Sequence, residues 1–162
     1  MEIFLNIINK EPPGDVDEFL DEEMPVFQYC LESLSRFIDG EIILYFSSSK
    51  RIVLDIFYDF SVCFEEIVES VVLAKRSTVD AGESIWFFEQ GSDFCMDYRV
   101  KNDIVHIAFK KGEDVGFPNS EMEDFSVEVD RSEYIEEWTK VFESIAALFE
   151  DKLDKKLDEM PF

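Results

Sequence analysis

The chain has 162 residues, and its 38 Asp and Glu against 15 Lys and Arg give a formal net charge of −23 at pH 7. Apolar residues make up 46% of it and aromatic residues 15%, including 17 Phe, which is more than a disordered acidic tail contains, so the chain is expected to fold. The charge argues against nucleic acid and anionic membranes as partners, because both bind surfaces that are rich in Lys and Arg.

The first part of the chain predicts a strand, a helix and a hairpin. A short β-branched run at residues 3–8 predicts the first strand. Over residues 25–38 the apolar side chains recur every three or four positions, which predicts an amphipathic helix that is stopped by Gly40. Two apolar runs, 42–46 and 52–58, flank four polar residues and predict a hairpin.

A second helix and an antiparallel meander follow in the sequence. At residues 61–75, Phe, Ile and Val repeat with a helical period opposite a row of Glu, which predicts a helix. A strand is predicted at 84–90. In the next two runs, 94–101 and 105–110, one set of mainly apolar side chains alternates with a second, more polar set. A two-residue turn at 102–103 joins the runs, and this pattern is typical of an antiparallel hairpin.

The last part of the chain predicts a loop, a strand and a long helix. Residues 112–123 carry the loop signal Gly-Phe-Pro-Asn, and alternation resumes at 125–129 as a final strand. Asp130 is followed three residues later by Glu133, which is the pattern of a capping box at the start of a helix. Apolar residues then continue at helical spacing into a charged tail that includes Leu157.

These elements predict a single α+β domain over residues 1–162, in which 151–162 form a tail that can fray. A mainly antiparallel, twisted sheet of about five to seven strands is expected to pack one face against the helix from Pro25 and the long C-terminal helix. The side chains predicted to form the core are Phe27, Leu31, Leu34, Ile56, Trp86, Phe88, Met96, Tyr98, Ile107, Trp138, Phe142 and Ile145.

The cysteines and the N-terminal residues predict a cytoplasmic location. Cys30, Cys63 and Cys95 lie about thirty residues apart among apolar neighbours, a spacing that gives neither a disulfide framework nor a CxxC motif, so buried thiols are expected. Residues 1–10 lack the pattern of a secretory signal, and no apolar run reaches the roughly 18 residues of a membrane span.

The sequence contains no complete metal-binding motif. Residues 15–19 begin like an EF-hand calcium loop, but Leu20 and Val26 occupy the positions at which that loop requires Gly and Glu. The single His106 and the separated cysteines do not form a zinc motif. We therefore expect neither a metal nor a cofactor.

The charge instead points to a binding function. Solubility requires a net charge of only about 2–8 in a small domain, and the excess here favours attraction of a basic partner protein. Residues 11–23 carry seven carboxylates and no basic residue. Among the charged residues of 113–137, all are acidic except Arg131. The carboxylates predicted at the interface are Asp15, Asp17, Glu18, Asp21, Glu22, Glu23, Glu113, Asp114, Glu121, Glu123 and Asp124.

The whole chain resembles the small acidic bacterial immunity proteins that neutralise polymorphic or contact-delivered toxins. The resemblance lies in its size, its pI of about 4.1, its order of elements, and the segments LDIFYDFS at 54–61, EEI at 65–67 and WFFEQG at 86–91. It implies a cytoplasmic protein that binds its cognate toxin domain, often a basic nuclease, and blocks the active site or the substrate surface.

Three other interpretations remain open from the sequence. The acidic surface can serve solubility alone, as in an acid-rich or salt-adapted proteome. The chain can be a self-associating assembly module that pairs through an exposed strand edge. It can also be an enzyme with a carboxylate pair in a cleft, although Asp55 and Asp97, the best candidates, are explained equally well as the outward face of antiparallel strands.

Overall fold

The computed structural model describes residues 1–11, 25–76, 80–89 and 91–162, and these ranges contain seven strands, three α-helices and one π-helical turn. The elements in chain order are β1 (Glu2–Asn9), α1 (Val26–Leu34), β2 (Ile38–Ser47), β3 (Lys50–Asp55), the π-helical turn (Ile56–Phe60), α2 (Phe64–Arg76), β4 (Ala81–Phe87), β5 (Phe94–Lys101), β6 (Ile104–Lys111), β7 (Phe125–Asp130) and α3 (Arg131–Leu153). This arrangement confirms the predicted α+β class and the long C-terminal helix. None of the helices in the described ranges is long and apolar enough to cross a bilayer.

The strands form two antiparallel sheets where the sequence predicted one. The first has the order β1-β2-β3 and the second the order β4-β5-β6-β7. On the side of β3 away from β2, the edge is met by a side chain: the Asn119 amide accepts a hydrogen bond from the Val53 N–H at 3.0 Å and donates one to the Val53 carbonyl at 2.8 Å. Because this amide occupies the backbone groups that a further strand would use, the first sheet stops at β3.

The core is organised around α3, which contacts α1, α2, β1, β6 and β7. Its buried side chains are Tyr134, Trp138, Val141, Phe142, Ile145 and Phe149. The ring of Phe142 lies 5.5 Å from those of Phe27 on α1 and Phe60 on the π-helical turn, measured between centroids. Aromatic contacts of this kind join α3 to α1 and to the π-helical turn.

Ten of the twelve predicted core residues are buried, and the two exceptions, Trp86 and Phe88, are 63% and 67% exposed. Their neighbours Ile85 and Phe87 are 1% exposed, so β4 presents the opposite face to the core. The run at 84–90 has apolar residues at both odd and even positions, and its periodicity therefore did not decide which set faces inward.

The predicted helix at 25–38 ends at Leu34, and Gly40 lies inside β2. A Cβ atom at Gly40 would lie 2.6 Å from Ile56 Cδ1 and 2.9 Å from the Asn6 carbonyl oxygen. This glycine therefore permits the close approach of β1, β2 and the π-helical turn, and it does not serve as a helix cap.

The capping box predicted at the start of α3 does not form. Asp130 precedes the helix but its side chain makes no capping hydrogen bond, and the Glu133 carboxylate instead accepts from the amino terminus of Met1 at 2.6 Å. After α3 the backbone turns at Asp154, which has a φ of 53°. The tail then packs back on the core, and the Phe162 ring lies 4.9 Å from that of Phe142.

Candidate functional site

The predicted interface residues fall into two groups. The segment 12–24 lies outside the described residues, and with it Asp15, Asp17, Glu18, Asp21, Glu22 and Glu23. The other five are exposed and lie on the loop between β6 and β7: Glu113, Asp114, Glu121, Glu123 and Asp124. The structure therefore places this second group together on a single solvent-facing loop, which we call the acidic loop (residues 112–124).

The acidic loop is attached to the first sheet through Asn119. This side chain is 3% exposed, and its two hydrogen bonds to Val53 fix the middle of the loop against β3. The residues just before it, Phe117 and Pro118, consequently lie beside the end of the first sheet, where the Phe117 side chain is 89% exposed.

An acidic cleft opens at this position, with a volume of about 340 Å³. It is bounded by β2, β3, the π-helical turn, the segment after β4 and the acidic loop. The lining residues are Glu41, Val53, Asp55, Tyr58, Asp59, Glu89, Ser92, Phe117 and Pro118. Four of them are carboxylates, two are aromatic, and no Lys, Arg or His is among them.

The local fold brings three of these carboxylates together. Glu41 and Asp55 are direct partners in the register of β2 and β3, and both side chains are on the face opposite the buried Ile42 and Leu54. Asp55 ends β3, and its Oδ1 accepts hydrogen bonds from the Phe57 and Tyr58 N–H groups at 2.7 and 2.9 Å. The π-helical turn that follows returns Asp59 to β3, where Oδ2 accepts from the Asp55 N–H at 2.9 Å. Such turns are often found at functional sites.

Asp59 is the least exposed carboxylate of the cleft. Only 4% of the residue is exposed, and its Oδ1 has no hydrogen-bond partner among the described residues. Burial raises the pKa of Asp59, and the nearby Asp55 and Glu89 carboxylates raise it further, while the Ser92 hydroxyl and the Asp55 N–H act in the opposite direction. A buried acceptor without a donor costs about 1–3 kcal/mol, so the cleft contains a group that a bound donor would stabilise.

None of the four cleft carboxylates forms an ion pair within the described part of the chain. The described residues also contain no group of three or more His, Cys, Asp or Glu side chains that could hold a metal ion. Carboxylates without an ion-pair partner can accept hydrogen bonds from the N–H donors of an organic cation, such as a guanidinium or an ammonium group.

A second concave surface lies on the outer face of the four-stranded sheet, and its charges are paired. Arg99 donates to both oxygens of Asp80, with Nη2 at 2.8 Å from Oδ2. Lys110 contacts Asp97 at 2.5 Å, and His106 Nδ1 lies 3.3 Å from the carboxylate of Glu128 on β7. The pKa of Asp97 is lowered, first by Lys110 and then by the Ser84 hydroxyl. On this face, which contains Asp97 and His106 among the residues that the sequence singled out, the carboxylates of Asp80, Asp97 and Glu128 each have a basic partner.

The three cysteines are free and buried, as expected. Burial raises the pKa of the Cys63 thiol to about 12 and that of Cys95 to about 11, and it also raises the pKa of Cys30. These thiols are protonated at neutral pH, which suits a structural role in the core.

Sequence reasoning considered Asp55 but missed the carboxylates that surround it. Asp59 follows Asp55 by four residues within the apolar run 54–60, and two charges that interrupt one apolar run are the signal by which it could have been found. Glu41 becomes a neighbour of Asp55 through the register of β2 and β3, and Glu89 joins the cleft through the packing of the segment after β4. A local sequence pattern reveals neither arrangement.

No family model, curated protein or solved structure matches this chain. The function is accordingly inferred from the geometry and charge of the cleft and of the acidic loop.

Proposed function

We propose that the protein is a non-catalytic inhibitor of the immunity type, which binds a basic partner protein and occludes its active surface. The favoured partner is a cytoplasmic toxin domain such as a nuclease. The observation that carries the proposal is the acidic cleft, whose four carboxylates have no basic side chain among the lining residues and which is bordered by Phe117 and Pro118 of the acidic loop.

The charge distribution supports fast association with such a partner. With a net charge of −23, the negatively charged side chains repel one another in the folded state. The cleft carboxylates, which have no counterion among the described residues, concentrate the negative electrostatic potential at one place. Electrostatic steering raises association rates by about 10–10³-fold and weakens with salt. A toxin that binds nucleic acid carries the complementary basic surface.

Aromatic and aliphatic side chains around the cleft supply contact area. Tyr58 and Phe117 line it and are 50% and 89% exposed. On the outer face of the first sheet, Phe4 and Ile43 are paired across β1 and β2, next to the row of Asn6, Glu41 and Asp55. An apolar centre bordered by charge is typical of protein–protein interfaces, and aromatic residues are enriched among their energetic anchors.

The test is affinity capture of the partner from lysate of the source cell, washed at about 0.15 M and about 1 M salt. We expect a basic protein that is retained at low salt and reduced at high salt. A variant with Glu113→Gln, Asp114→Asn, Glu121→Gln and Glu123→Gln should capture less of it. The matched control neutralises four exposed carboxylates in and after α3, with Glu143→Gln, Glu150→Gln, Asp158→Asn and Glu159→Gln, and should capture a normal amount.

Two results would contradict the proposal. Capture of only the same chain, together with a mass that rises with protein concentration, would favour the self-associating module. Equal losses in the loop variant and the control variant would show that only total charge matters and would remove the acidic loop from the interface.

A carboxylate-pair enzyme is the second candidate, and the burial of Asp59 beside Asp55 is the observation that favours it. A raised pKa on one member of a carboxylate pair is how many hydrolases divide the acid and base roles. This candidate predicts turnover of a glycoside or ester in a substrate panel, which Asp59→Asn removes and Asp158→Asn leaves intact. Absence of turnover across that panel would leave binding as the function of the cleft.

A further inference from the structure

We propose that the acidic cleft receives one arginine side chain of the partner, with Asp59 Oδ1 as the innermost acceptor of its guanidinium group. This inference rests on the proposed function, because it names the chemical group through which the basic partner is anchored. It assigns the cleft as the centre of the interface and the acidic loop as its charged border.

The size of the cleft fits one side chain. Pockets for small-molecule ligands range over about 300–1,000 Å³, and a cleft of about 340 Å³ is at the lower end of that range. It admits a group of a few heavy atoms on a narrow stem, which describes the end of an arginine. The exposed Phe117 at its rim leaves the opening accessible to a partner surface.

The hydrogen-bonding state of Asp59 is the second and independent observation. Its Oδ2 already accepts from the Asp55 N–H, whereas Oδ1 is buried in the wall of the cleft without a partner among the described residues. Oδ1 is closed to solvent and the Ser92 hydroxyl lowers the pKa of the same carboxyl, so a guanidinium N–H supplies a donor to Oδ1 once the cleft wall has moved to admit it. The further N–H groups of the same planar cation can then reach the Asp55 and Glu89 carboxylates, as the five donors of arginine allow.

Arginine is favoured over lysine for two physical reasons. The guanidinium is more weakly hydrated than an ammonium, so it loses less on entering a cleft whose innermost acceptor is buried. It also stacks on aromatic rings, and Tyr58 and Phe117 border the cleft. An ammonium group satisfies fewer of the carboxylates at once because its donors do not form a planar fork.

The titration of Asp59 gives the proposal a distinctive signature. Asp55 on β3, Glu41 on β2, Glu89 and Ser92 after β4, and Tyr58 on the π-helical turn line the same cleft, and they include no basic group. In the turn before α2, Cys63 donates its N–H to the Asp59 carbonyl, and its thiol stays protonated because its pKa is about 12. A cation bound at Asp59 lowers the raised pKa of this carboxyl, so binding releases a proton and weakens as the pH falls through that pKa.

The experiment titrates the full chain with N-acetyl-arginine amide and follows the backbone amide NMR signals. Parallel titrations use N-acetyl-lysine amide and N-acetyl-citrulline amide, the neutral isostere of the arginine probe. We expect shifts at residues 55–59, 89 and 117 with arginine, weaker shifts with lysine and none with citrulline. The isolated side chain should bind weakly, with a Kd of about 1 mM or above, because it lacks the rest of the interface.

Asp59→Asn should weaken binding of the arginine probe by about tenfold or more, and Asp158→Asn should leave it unchanged. The pH dependence should disappear in Asp59→Asn. Because Asp59 is buried and its replacement can disturb the fold, Glu89→Gln is the second variant, and it should weaken the probe by a smaller factor without affecting folding.

The outcomes separate this inference from the proposed function. Capture of a salt-sensitive basic partner by a protein whose cleft signals do not respond to the arginine probe would overturn the arginine site and leave the inhibitor function standing. A response to arginine with no basic partner captured would keep the site and overturn the inhibitor. Equal binding of the arginine and lysine probes would overturn the choice of a guanidinium.

Discussion

The two sheets treat their charges in opposite ways. On the outer face of the four-stranded sheet, carboxylates on or next to the strands are matched with bases, as in the Arg99–Asp80 and Lys110–Asp97 pairs. At the end of the three-stranded sheet, Glu41 and Asp55 lie side by side and share the cleft with Asp59 and no base.

Under the proposed function, this difference marks the place where the excess negative charge acts. Paired surface charges nearly cancel each other, and each pair adds little to stability. The cleft carboxylates repel one another and have no counterion within the described part of the chain. A partner that supplies a cation therefore forms a favourable charge interaction that the fold itself does not provide. At Asp59, one buried acceptor oxygen has no donor among the described residues, and the free-energy cost of the missing hydrogen bond falls on that atom.

The largest effect is expected at Asn119, which holds the acidic loop, one border of the cleft, against β3. Replacing it in Asn119→Ala leaves the buried N–H and carbonyl of Val53 without partners. We expect a loss of about 2–4 kcal/mol in the free energy of unfolding, because each orphaned group costs about 1–3 kcal/mol. Urea unfolding measures this loss, and Asn9→Ala, at an exposed strand end, is the control with a change within about 0.5 kcal/mol. A loss in Asn119→Ala no larger than in the control would mean that the loop is held elsewhere.

Asp59→Asn tests the cleft from inside. We expect the variant to be more stable than the wild type at neutral pH by about 1–3 kcal/mol, because it removes a buried charge. The pKa of Asp59 is higher in the folded than in the unfolded state, so the folded wild type takes up its proton first as the pH falls. The advantage of the variant should therefore shrink below that raised pKa and level off below about 3.9, the pKa of an unperturbed Asp.

Unfolding curves of the two proteins, recorded at about ten pH values between about 3.5 and 8, give the difference in the free energy of unfolding at each pH. Asp158→Asn, in the exposed tail, should differ from the wild type by a constant amount over the same range. A difference for Asp59→Asn that does not change with pH would show that its carboxyl titrates normally and would remove it as a strained acceptor.

Two variants with the same change in net charge compare the regions directly. Glu41→Gln with Glu89→Gln removes two carboxylates from the cleft, and Asp80→Asn with Glu128→Gln removes two from the paired face. We expect the association rate with the captured basic partner to fall about tenfold for the cleft variant and about twofold for the other, because steering depends on where the field is concentrated. Stopped-flow kinetics at two salt concentrations measures both, and equal effects would mean that net charge alone steers the partner.

The sequence predicted most of the fold because local patterns determine it. The alternation in β5 and β6 and the three-four spacing in α3 each distinguish an inner from an outer face, and the buried Met96, Ile107 and Trp138 were identified in this way. At β4 both faces are apolar, and the pattern that worked elsewhere gave the wrong face for Trp86 and Phe88. The division into two sheets and the amide contact of Asn119 with β3 are long-range features, which periodicity does not encode.

The candidate site was harder to predict than the fold for a related reason. The exposed carboxylates of the acidic loop follow from composition, because a loop rich in Asp and Glu is exposed. Whether a carboxylate is paired or unpaired depends on the strand opposite it. Asp97 and Asp55 both interrupt apolar strands, yet only Asp97 has a lysine beside it in the folded chain.

The smallest expected effect is on the paired face itself. Asp80→Asn combined with Arg99→Gln removes one charge of each sign, so the net charge stays at −23 and only the contact between the two side chains is lost. The Arg99 side chain is 64% exposed and that of Asp80 36%, so solvent screens the interaction, and we expect no measurable change in unfolding. Association with the basic partner should also stay within about twofold of the wild-type rate, because the cleft keeps its four carboxylates. Stopped-flow and urea unfolding on the same preparation check both statements. A clear loss of association would place the partner on the four-stranded sheet, where the paired charges would have to open and exchange their partners on binding.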